Sequence, residues 1–441
     1  MAWVSPKVDT ARCARVLSRA VRIPTVSGGS YTPFSQLMKL LEESYPTLFS
    51  LSTVQNVDED GVLIYIRGAR NDQPFLLIGH LDVVPIDVAS AHEWVHGPFS
   101  GDIADGCVWG RGTLDMKGHV ITMLEAADSL LQTGWRPSRE VCFALSFNEE
   151  IHGNGAHKMC HILKAMGFFP ALLLDEGGGV SGEQAGRRRP IARVGVCEKG
   201  RALVTMTASG QVGLASRPGR QTAPEKLARA AAYLDTHRFP PRLCDTVARM
   251  YQVMAPCVSM PWRLFYRRPK LFWPLLLLEK NDNARVLTRT CITWTVARAG
   301  VQQSSLPSEA IFRYDCRILP GQTVDDIKKK FDRAVKHSRA KIKLTYEALA
   351  EPRRSSPVSG ESWDALTTAI SIRFPDAMVL PCLTGGNSDG RHYEEITRNI
   401  YHFSPFRLTA QERAAIHGVN EKLRVELLED AIVFFQLLLQ A

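Results

Sequence analysis

Four short apolar runs, each followed by polar residues, constrain the fold of this chain more than any other feature. They cover residues 62–66, 75–78, 141–147 and 171–174. Runs of this length, rich in leucine and β-branched residues, are typical of strands buried on both faces. A helical stripe lies between the second and third runs and consists of Val120, Leu124, Ala127 and Leu131. This alternation predicts an α/β domain with a mainly parallel sheet and helices on both faces.

A change of character after Glu198 predicts a second domain. Residues 199–351 contain a Gly-, Ser-, Arg- and Pro-rich segment, a helical stretch through Leu227 and Ala231, and a strand-like run at residues 310–319. We therefore expect residues 199–351 to form a smaller domain inserted into a main domain of residues 1–198 and 352–441.

Composition excludes several classes of protein. The 441 residues are 45% hydrophobic and 22% charged, as in ordinary globular proteins with a large core. We expect neither a secretory signal nor a membrane-spanning segment, because no stretch is apolar for long enough, and the expected location is the cytoplasm. The net charge of +9 favours anionic partners, but no pattern points to nucleic acid. Ten cysteines without a CxxC pair indicate reduced thiols.

Histidine and carboxylate residues stand directly after the predicted strands. They are His80 and Asp82, then Glu149 and Glu150, then Asp175 and Glu176. Because ligands bind outside the carboxyl ends of strands in an open α/β sheet, we expect these separated groups to lie in one crevice. Imidazole nitrogen and carboxylate oxygen are donors that suit zinc. The pattern therefore predicts a metal site.

The sequence GHLDVVP places His80 and Asp82 two residues apart, so that both side chains point to the same side of an extended backbone. This spacing suits a metal ligand and a carboxylate that binds its second ring nitrogen and fixes its tautomer. A single HxD motif is frequent and carries little weight alone. Four further motifs add to it: GRGTLDMKG, FNEEIHGNGA, LLDEGGG and IHGVNE.

Together these motifs resemble those of the co-catalytic zinc family that includes aminoacylase, carboxypeptidase S, bacterial glutamate carboxypeptidase and succinyl-diaminopimelate desuccinylase. The resemblance runs from the first helix to the last and is strongest for the carboxypeptidase S branch with the N-fatty-acyl amino acid hydrolases. It implies an enzyme that hydrolyses amide bonds in short peptides or N-acyl amino acids with two Zn²⁺ ions, for which Co²⁺ or Mn²⁺ could substitute. It also implies that the inserted domain is an α+β lid that mediates formation of a homodimer.

Carried over residue by residue, the resemblance implies a complete set of metal ligands. They are His80, Asp115, Glu150, His417 and one of Asp175 and Glu176. Asp115 would bridge the two ions, and the peptide bond that follows it would be cis. Glu176 is the first choice within its pair, although the carboxypeptidase S branch is sometimes interpreted with the aspartate.

The chemistry explains why such residues are needed. A bridging carboxylate can hold two ions about 3.5 to 4 Å apart, which lowers the pKa of a shared water molecule toward neutrality. Neighbouring Glu149 and Glu150 can point in different directions, so that one binds metal while the other accepts a proton from this water. The resemblance implies that Glu149 is this general base and that it later delivers the proton to the leaving nitrogen.

Three residues are implied, by resemblance, to contact the carboxylate of the substrate. Arg317 of CRILPGQT would make a paired, charge-assisted contact, and the backbone around Gly385 and Gly386 would lie close by. Arg391 and His392 are rival candidates for this contact. The alternative interpretation of Arg317 is a surface arginine at the end of a strand.

Three positions depart from the pattern of the family. Leu214 stands where a lid histidine usually stabilises the oxyanion, and loss of one such donor typically costs a factor on the order of 100 to 1,000 in rate. Ser304 replaces a common asparagine, and Asn148 replaces an aspartate. These departures leave open an alternative function: a catalytically weak, metal-binding paralogue that recognises an acyl amino acid or a protein partner.

The segment at residues 254–278 is unusually apolar for a lid. Its apolar members are Met254, Met260, Trp262, Phe265, Tyr266, Phe272, Trp273 and the four leucines at residues 275–278. Lid core or a dimer interface is one interpretation. The other is a pocket for a long acyl tail, beside cations that favour an acidic head group or a lipid surface, namely Arg263, Arg267, Arg268 and Lys270.

Overall fold

The computed structural model describes residues 3–181, 189–276 and 286–441. The chain forms two compact units. The first comprises Met1–Val196, Ser356–Cys382 and Ser388–Ala441, and the second comprises Cys197–Ser355 and Leu383–Asn387. Leu277 and Leu278 of the predicted apolar segment lie outside the described residues. Within the described ranges, no helix combines the length and the apolar character needed to cross a bilayer.

Helices and strands alternate through much of the first unit. In chain order the described helices are α1 Thr10–Val21, α2 Thr32–Ser44, α3 Pro46–Leu51, α4 Lys117–Gln132, α5 Gly155–Ala165, α6 Ala223–Thr236, α7 Asp245–Met254, α8 Trp262–Arg267, α9 Pro269–Leu276, α10 Val324–Ser338, α11 Glu361–Arg373, α12 Ala410–Ala414 and α13 Glu426–Leu439. Short 3-10 helices occur at Ala91–Glu93, Ala255–Cys257 and Asp389–Tyr393.

The described strands are β1 Ser52–Val57, β2 Gly61–Ile66, β3 Arg70–His80, β4 Ile103–Ala104, β5 Cys107–Trp109, β6 Arg139–Ser146, β7 Leu172–Asp175, β8 Gly179–Ser181, β9 Ile191–Glu198, β10 Gly200–Ser209, β11 Gly213–Leu214, β12 Cys291–Ala299, β13 Ser305–Leu306, β14 Glu309–Ile318, β15 Lys343–Ala350, β16 Met378–Thr384, β17 Ile400–His402, β18 Arg407–Leu408 and β19 Lys422–Arg424.

The first unit is built on a large sheet whose central strands are parallel. Among the described residues the strand order is β1-β2-β6-β3-β7-β17-β9-β8-β18, and β16 pairs with β9. Strands β6, β3, β7 and β17 run parallel to one another. Leu77 of β3 lies opposite Phe143 of β6 and Leu174 of β7. The carboxyl ends of these three strands therefore meet at one edge of the sheet.

Both faces of this sheet are buried, which explains why its strands are continuous apolar runs rather than alternating ones. Phe75 and Leu77 of β3 belong to one core cluster, together with side chains from α1, α2, α4 and α13. Leu76 and Ile78 of the same strand belong to another cluster, with side chains from α5. The predicted α/β class, with a mainly parallel sheet and helices on both faces, is confirmed.

The second unit contains a separate antiparallel sheet with the strand order β12-β14-β10-β15. Alternate residues of β10, from Ala202 to Ala208, pack with α6 and α10 in one core cluster. A cavity of about 710 Å³ lies between α6 and β12, and its lining includes Leu234, Ile292 and Trp294. This cavity contains none of the predicted site residues.

One short segment belongs to a different unit than the sequence indicates. Leu383–Asn387 falls within the range predicted for the main domain, but it groups with the second unit. The N–H of Lys199 donates to the carbonyl oxygen of Thr384 at 3.1 Å, and Arg317 Nη1 donates to the carbonyl oxygen of Gly385 at 3.0 Å. These contacts attach the segment to β10 and β14, and no local sequence signal indicates such long-range pairing.

Glu421 is a fully buried carboxylate that organises the turn before α4. It accepts a hydrogen bond from Arg111 Nη1 at 2.6 Å and from the N–H groups of Gly112 and Leu114 at 3.0 and 2.9 Å. The N–H of Asp115 also donates to it, at 3.3 Å. Burial raises the pKa of Glu421 to about 7, and Arg111 opposes this shift. One side chain near the C-terminus therefore fixes the backbone that carries Asp115.

We predict that Glu421→Ala strongly destabilises the first unit. The substitution leaves the Arg111 guanidinium and several N–H groups buried without their partner, and breaking a buried ion pair in this way costs about 3 to 5 kcal/mol. The measurement is urea unfolding of the metal-free protein at pH 8, where the carboxylate is mainly ionised.

The matched control is Arg407→Ala, which removes the partly exposed ion pair between Arg407 and Asp376. We expect that loss to cost no more than about 1 kcal/mol. An equal effect of the two substitutions would contradict the role given to Glu421.

Candidate metal centre

His80, at the end of β3, is buried with one ring nitrogen already engaged. Its Nδ1 lies 2.9 Å from the main-chain oxygen of Asp82 and 3.4 Å from the carboxylate of the same residue. Because a carbonyl oxygen can only accept, Nδ1 is the donor in this contact, which leaves Nε2 of a neutral ring to bind metal. The orienting contact expected from the Asp82 carboxylate is thus shared with the Asp82 main chain.

Asp82 also holds the backbone of the glutamate pair. Its Oδ1 accepts the N–H of Glu149 and its Oδ2 accepts the N–H of Glu150, both at 3.1 Å. The hydroxyl of Ser27 donates to Oδ2 at 2.7 Å. Burial opposes ionisation here, but the hydrogen bond with His80 and these further donors hold the pKa of Asp82 below its usual value. A single carboxylate therefore fixes the loops after β3 and β6 relative to each other.

Asp115 lies between the two histidines. Its Oδ1 is 3.1 Å from Nε2 of His80, and its Oδ2 is 3.0 Å from Nε2 of His417. The peptide bond between Asp115 and Met116 is cis, as expected. A carboxylate that presents one oxygen to each of two imidazoles has the geometry of a bridging ligand.

Two groups of donor atoms share this aspartate. In each group the candidate ligand atoms lie within 4.8 Å of one another. One group consists of His80, Asp115 and Glu176, and the other consists of Asp115, Glu150 and His417. In the second group Glu150 Oε1 lies 3.1 Å from Nε2 of His417.

The structure distinguishes the two members of the Asp175–Glu176 pair. Glu176 Oε1 lies 3.6 Å from Nε2 of His80, on the side of the ring that faces Asp115. Asp175 instead accepts hydrogen bonds from the N–H groups of Gly390 and Glu176 at 2.9 and 2.8 Å. It belongs to neither donor group of the described residues. We therefore assign Glu176, rather than Asp175, to the candidate ligand set.

Glu149 is buried but stands apart from both donor groups. Burial raises the pKa of its carboxyl well above the usual value, and Asp389 and Glu176 add to this effect. Its neighbour Glu150 faces His417, so the two side chains diverge as the sequence predicts. This position is available to a group that exchanges protons rather than binding metal.

The charge balance of the site favours divalent cations. Burial raises the pKa of Glu176 to about 8, and the hydrogen bond with Asp115 raises the pKa of His417 to about 10. Both shifts show that clustered carboxylates lack positive charge other than that of protonated histidines. Imidazole nitrogens and carboxylate oxygens in two groups with a shared aspartate fit a pair of Zn²⁺ ions. The donor set also admits Co²⁺ or Mn²⁺.

The predicted substrate contacts belong to the second unit and are described within it. Arg317 makes a salt bridge to Asp315, with Nε 2.9 Å from Oδ1, and its Nη1 donates to Gly385. A substrate carboxylate there would share the guanidinium with Asp315. Gly385 and Gly386 are exposed, and a Cβ atom on either would meet no atom within 4 Å.

The rivals and the departures from the family pattern also have defined surroundings. In the first unit, Arg391 Nε donates to Nε2 of His392 at 3.2 Å. Asn148 accepts the N–H of Gly155 at 3.1 Å, which orders the loop before α5. In the second unit, Leu214 pairs with Ser305 in a two-stranded ribbon and is 63% exposed, so its side chain is not part of a packed core.

Several buried groups around the centre are absent from the predicted set. Besides Ser27 and Glu421, Asp389 accepts a hydrogen bond from the hydroxyl of Ser146 at 2.6 Å. Asp389 lies in the SDGRHY stretch and Glu421 ends IHGVNE, so the motifs contained a signal for both. Ser27 carries no recognisable motif.

Relatives of known sequence extend over almost the whole chain. A probable carboxypeptidase S-like protein 2 of Dictyostelium discoideum is 30% identical over 436 residues, which is 96% of this chain and 83% of the relative. The N-fatty-acyl-amino acid synthase/hydrolase PM20D1 of Xenopus tropicalis is 31% identical over 445 residues, which is 98% of this chain and 86% of the relative.

Solved structures share the fold at lower identity. The M20 family metallo-carboxypeptidase Sso-CP2 of Sulfolobus solfataricus superposes with a TM-score of 0.75 at 17% identity and covers 97% of this chain and 98% of its own. The YXEP protein of Bacillus subtilis, a dinuclear metal binding peptidase from the M20 family, gives a TM-score of 0.59 at 14% identity and covers 98% of each chain.

Residues 76–441 match the model of Peptidase family M20/M25/M40, which includes every predicted metal ligand. The family that the motifs predict is thereby confirmed, as is its carboxypeptidase S-like and PM20D1-like character. The chain belongs to Peptidase family M20/M25/M40 and is a metal-dependent hydrolase.

Proposed function

We propose that this protein hydrolyses the amide bond of N-acyl amino acids or short peptides at a centre that holds two zinc ions. The observation that carries this proposal is the position of Asp115, whose two oxygens face His80 and His417 separately. Each histidine has one further carboxylate beside it, Glu176 in one group and Glu150 in the other. Two ions would thus have matched donor sets around one shared carboxylate.

The division of roles follows from the positions of the side chains. When bound, two divalent ions would lower the pKa of a water molecule between them and polarise the substrate carbonyl. Glu149 is adjacent to Glu150 in sequence, and its backbone is held by the same Asp82 carboxylate. It accepts the proton of the water molecule and delivers it to the leaving nitrogen. Asp82 is a positioning residue that orients His80 and the glutamate pair.

The substrate class rests on the relatives and on the second unit. PM20D1 proteins are named for hydrolysis and synthesis of N-fatty-acyl amino acids. Both an N-acyl amino acid and a peptide carry a free carboxylate, which the Arg317 guanidinium would bind together with the backbone at Gly385 and Gly386. The second unit acts as the lid and as the contact between subunits of a homodimer.

We predict that Glu149→Ala lowers kcat by a factor on the order of 100 to 10,000 and leaves bound zinc unchanged, because it removes a proton acceptor and not a ligand. Hydrolysis of an N-acyl amino acid and zinc content by atomic absorption are measured on the same preparation.

The adjacent substitution Glu150→Ala is the control, and it should remove about one of the two zinc ions because it removes a ligand. Loss of zinc in Glu149→Ala would mean that Glu149 is a ligand. No turnover of any amide by the zinc-loaded wild-type protein would favour the alternative of a catalytically weak paralogue.

We also predict that kcat/KM on N-acyl amino acids rises with the length of the acyl chain. Each methylene transferred from water to an apolar surface contributes about 0.8 kcal/mol, which allows up to about a fourfold gain per methylene. Acetyl, octanoyl and palmitoyl derivatives of one amino acid are compared below their critical micelle concentrations.

Dipeptides that lack a tail serve as the reference substrates. Equal or better turnover of N-acetyl substrates or of dipeptides would contradict specificity for long acyl chains, while leaving the zinc-dependent amide chemistry intact.

A further inference from the structure

Helices α8 and α9 of the second unit present apolar side chains to solvent. Met260, Leu264, Leu271 and Leu275 are exposed by 67%, 44%, 65% and 38%. We call these four residues, together with the cations Arg263, Arg267, Arg268 and Lys270, the basic apolar surface. Single exposed leucines are ordinary, but four large apolar residues on two consecutive short helices form a patch that requires an explanation.

The inner faces of the same helices are already packed, so the exposed residues are not part of a core. The ring of Tyr266 packs edge-on against Tyr251 of α7, with centroids 4.7 Å apart. Phe265 packs against Phe272 of α9 at 5.2 Å. Tyr266 and Leu276 are buried. Aromatic contacts thus fix α8 and α9 beneath, and their other sides carry leucines outward.

The charge of the segment is one-sided. Residues 254–276 contain three arginines and one lysine and no aspartate or glutamate. Lys270 forms an ion pair with Asp245 of α7 at 2.7 Å, and Arg263 donates to the carbonyl oxygens of Val258 and Pro256 at 3.2 and 3.1 Å. The exposed side chains of Arg267 and Arg268 complete a cationic surround to the apolar patch.

These features discriminate among partners. A second copy of the chain in a symmetric dimer would set this surface against itself, so that like charges would face one another across the contact. An acidic protein would match the cations but would not by itself require exposed leucine and methionine. An anionic lipid bilayer matches both, because acyl chains accept the apolar side chains while lipid phosphates attract arginine and lysine. The partly buried Trp262 and Trp273 suit the membrane interface as well.

We propose that the basic apolar surface binds the protein peripherally to membranes that contain anionic phospholipids. The apolar side chains enter the boundary between head groups and acyl chains, and the cations remain at the level of the phosphates. This interaction requires neither the metal centre nor the proposed reaction, and its test is independent of both.

The test is co-sedimentation of the full-length protein with vesicles of phosphatidylcholine alone or with 30 mol% phosphatidylglycerol, at 0.1 and 0.5 M NaCl. We expect binding to the anionic vesicles that exceeds binding to neutral vesicles at least about tenfold and weakens at high salt. The doubles Leu264→Ser/Leu271→Ser and Arg267→Gln/Arg268→Gln should each weaken it by at least about tenfold.

Matched controls separate this surface from the general effect of a net charge of +9. Val301→Ser changes a fully exposed valine elsewhere in the second unit, and Arg298→Gln removes an exposed cation of β12. Neither should change binding by more than about twofold. Far-ultraviolet circular dichroism checks folding, and the single Leu271→Ser replaces the leucine double if that variant does not fold.

Three results would overturn the proposal. Equal loss in the surface variants and the controls would show that binding reflects net charge alone. The absence of any vesicle binding would remove the lipid as a partner. A change of sedimentation coefficient caused by the surface variants, without an effect on vesicle binding, would assign the surface to a second copy of the chain.

Discussion

The parallel register of β3, β6 and β7 is the constraint on which the candidate centre depends. It brings the ends of three strands to one edge, so that residues separated by dozens of positions in sequence share a small volume. The Asp82 carboxylate then connects the loops at two of these ends by accepting the N–H groups of Glu149 and Glu150 beside His80. Sheet packing supplies the coarse alignment, and hydrogen bonds to this one side chain supply the fine alignment.

The cost of this arrangement is concentrated negative charge in a buried place. Carboxylates without compensating cations raise the pKa of Glu176 and of His417, to about 8 and about 10. Divalent ions would remove this imbalance and would also supply the chemistry of amide hydrolysis. Glu421 contributes from the opposite side, because its buried carboxylate fixes the backbone at Asp115 through Arg111 and neighbouring N–H groups. Stability and metal binding are thus connected through one loop.

Local patterns were sufficient to predict the α/β class, because buried strands and an amphipathic helix leave periodic signals. The donor residues that the structure brings together are also those that the motifs name, since each donor follows a strand or lies in a short motif. The choice between Asp175 and Glu176 could not be made, because adjacent side chains differ only in the direction that tertiary contacts impose. The contact of Ser27 with Asp82 and the grouping of Leu383–Asn387 with the second unit depend on long-range hydrogen bonds, which leave no local pattern.

The central claim is that two ions share Asp115, and anomalous X-ray scattering from zinc-loaded crystals tests it most directly. Data collected just above and below the zinc absorption edge locate each ion independently of the protein phases. The account predicts two peaks about 3.5 to 4 Å apart, one near His80 and Glu176, the other near Glu150 and His417, with Asp115 between them. A single peak at full zinc loading, or a peak bound by Asp175 in place of Glu176, would contradict it.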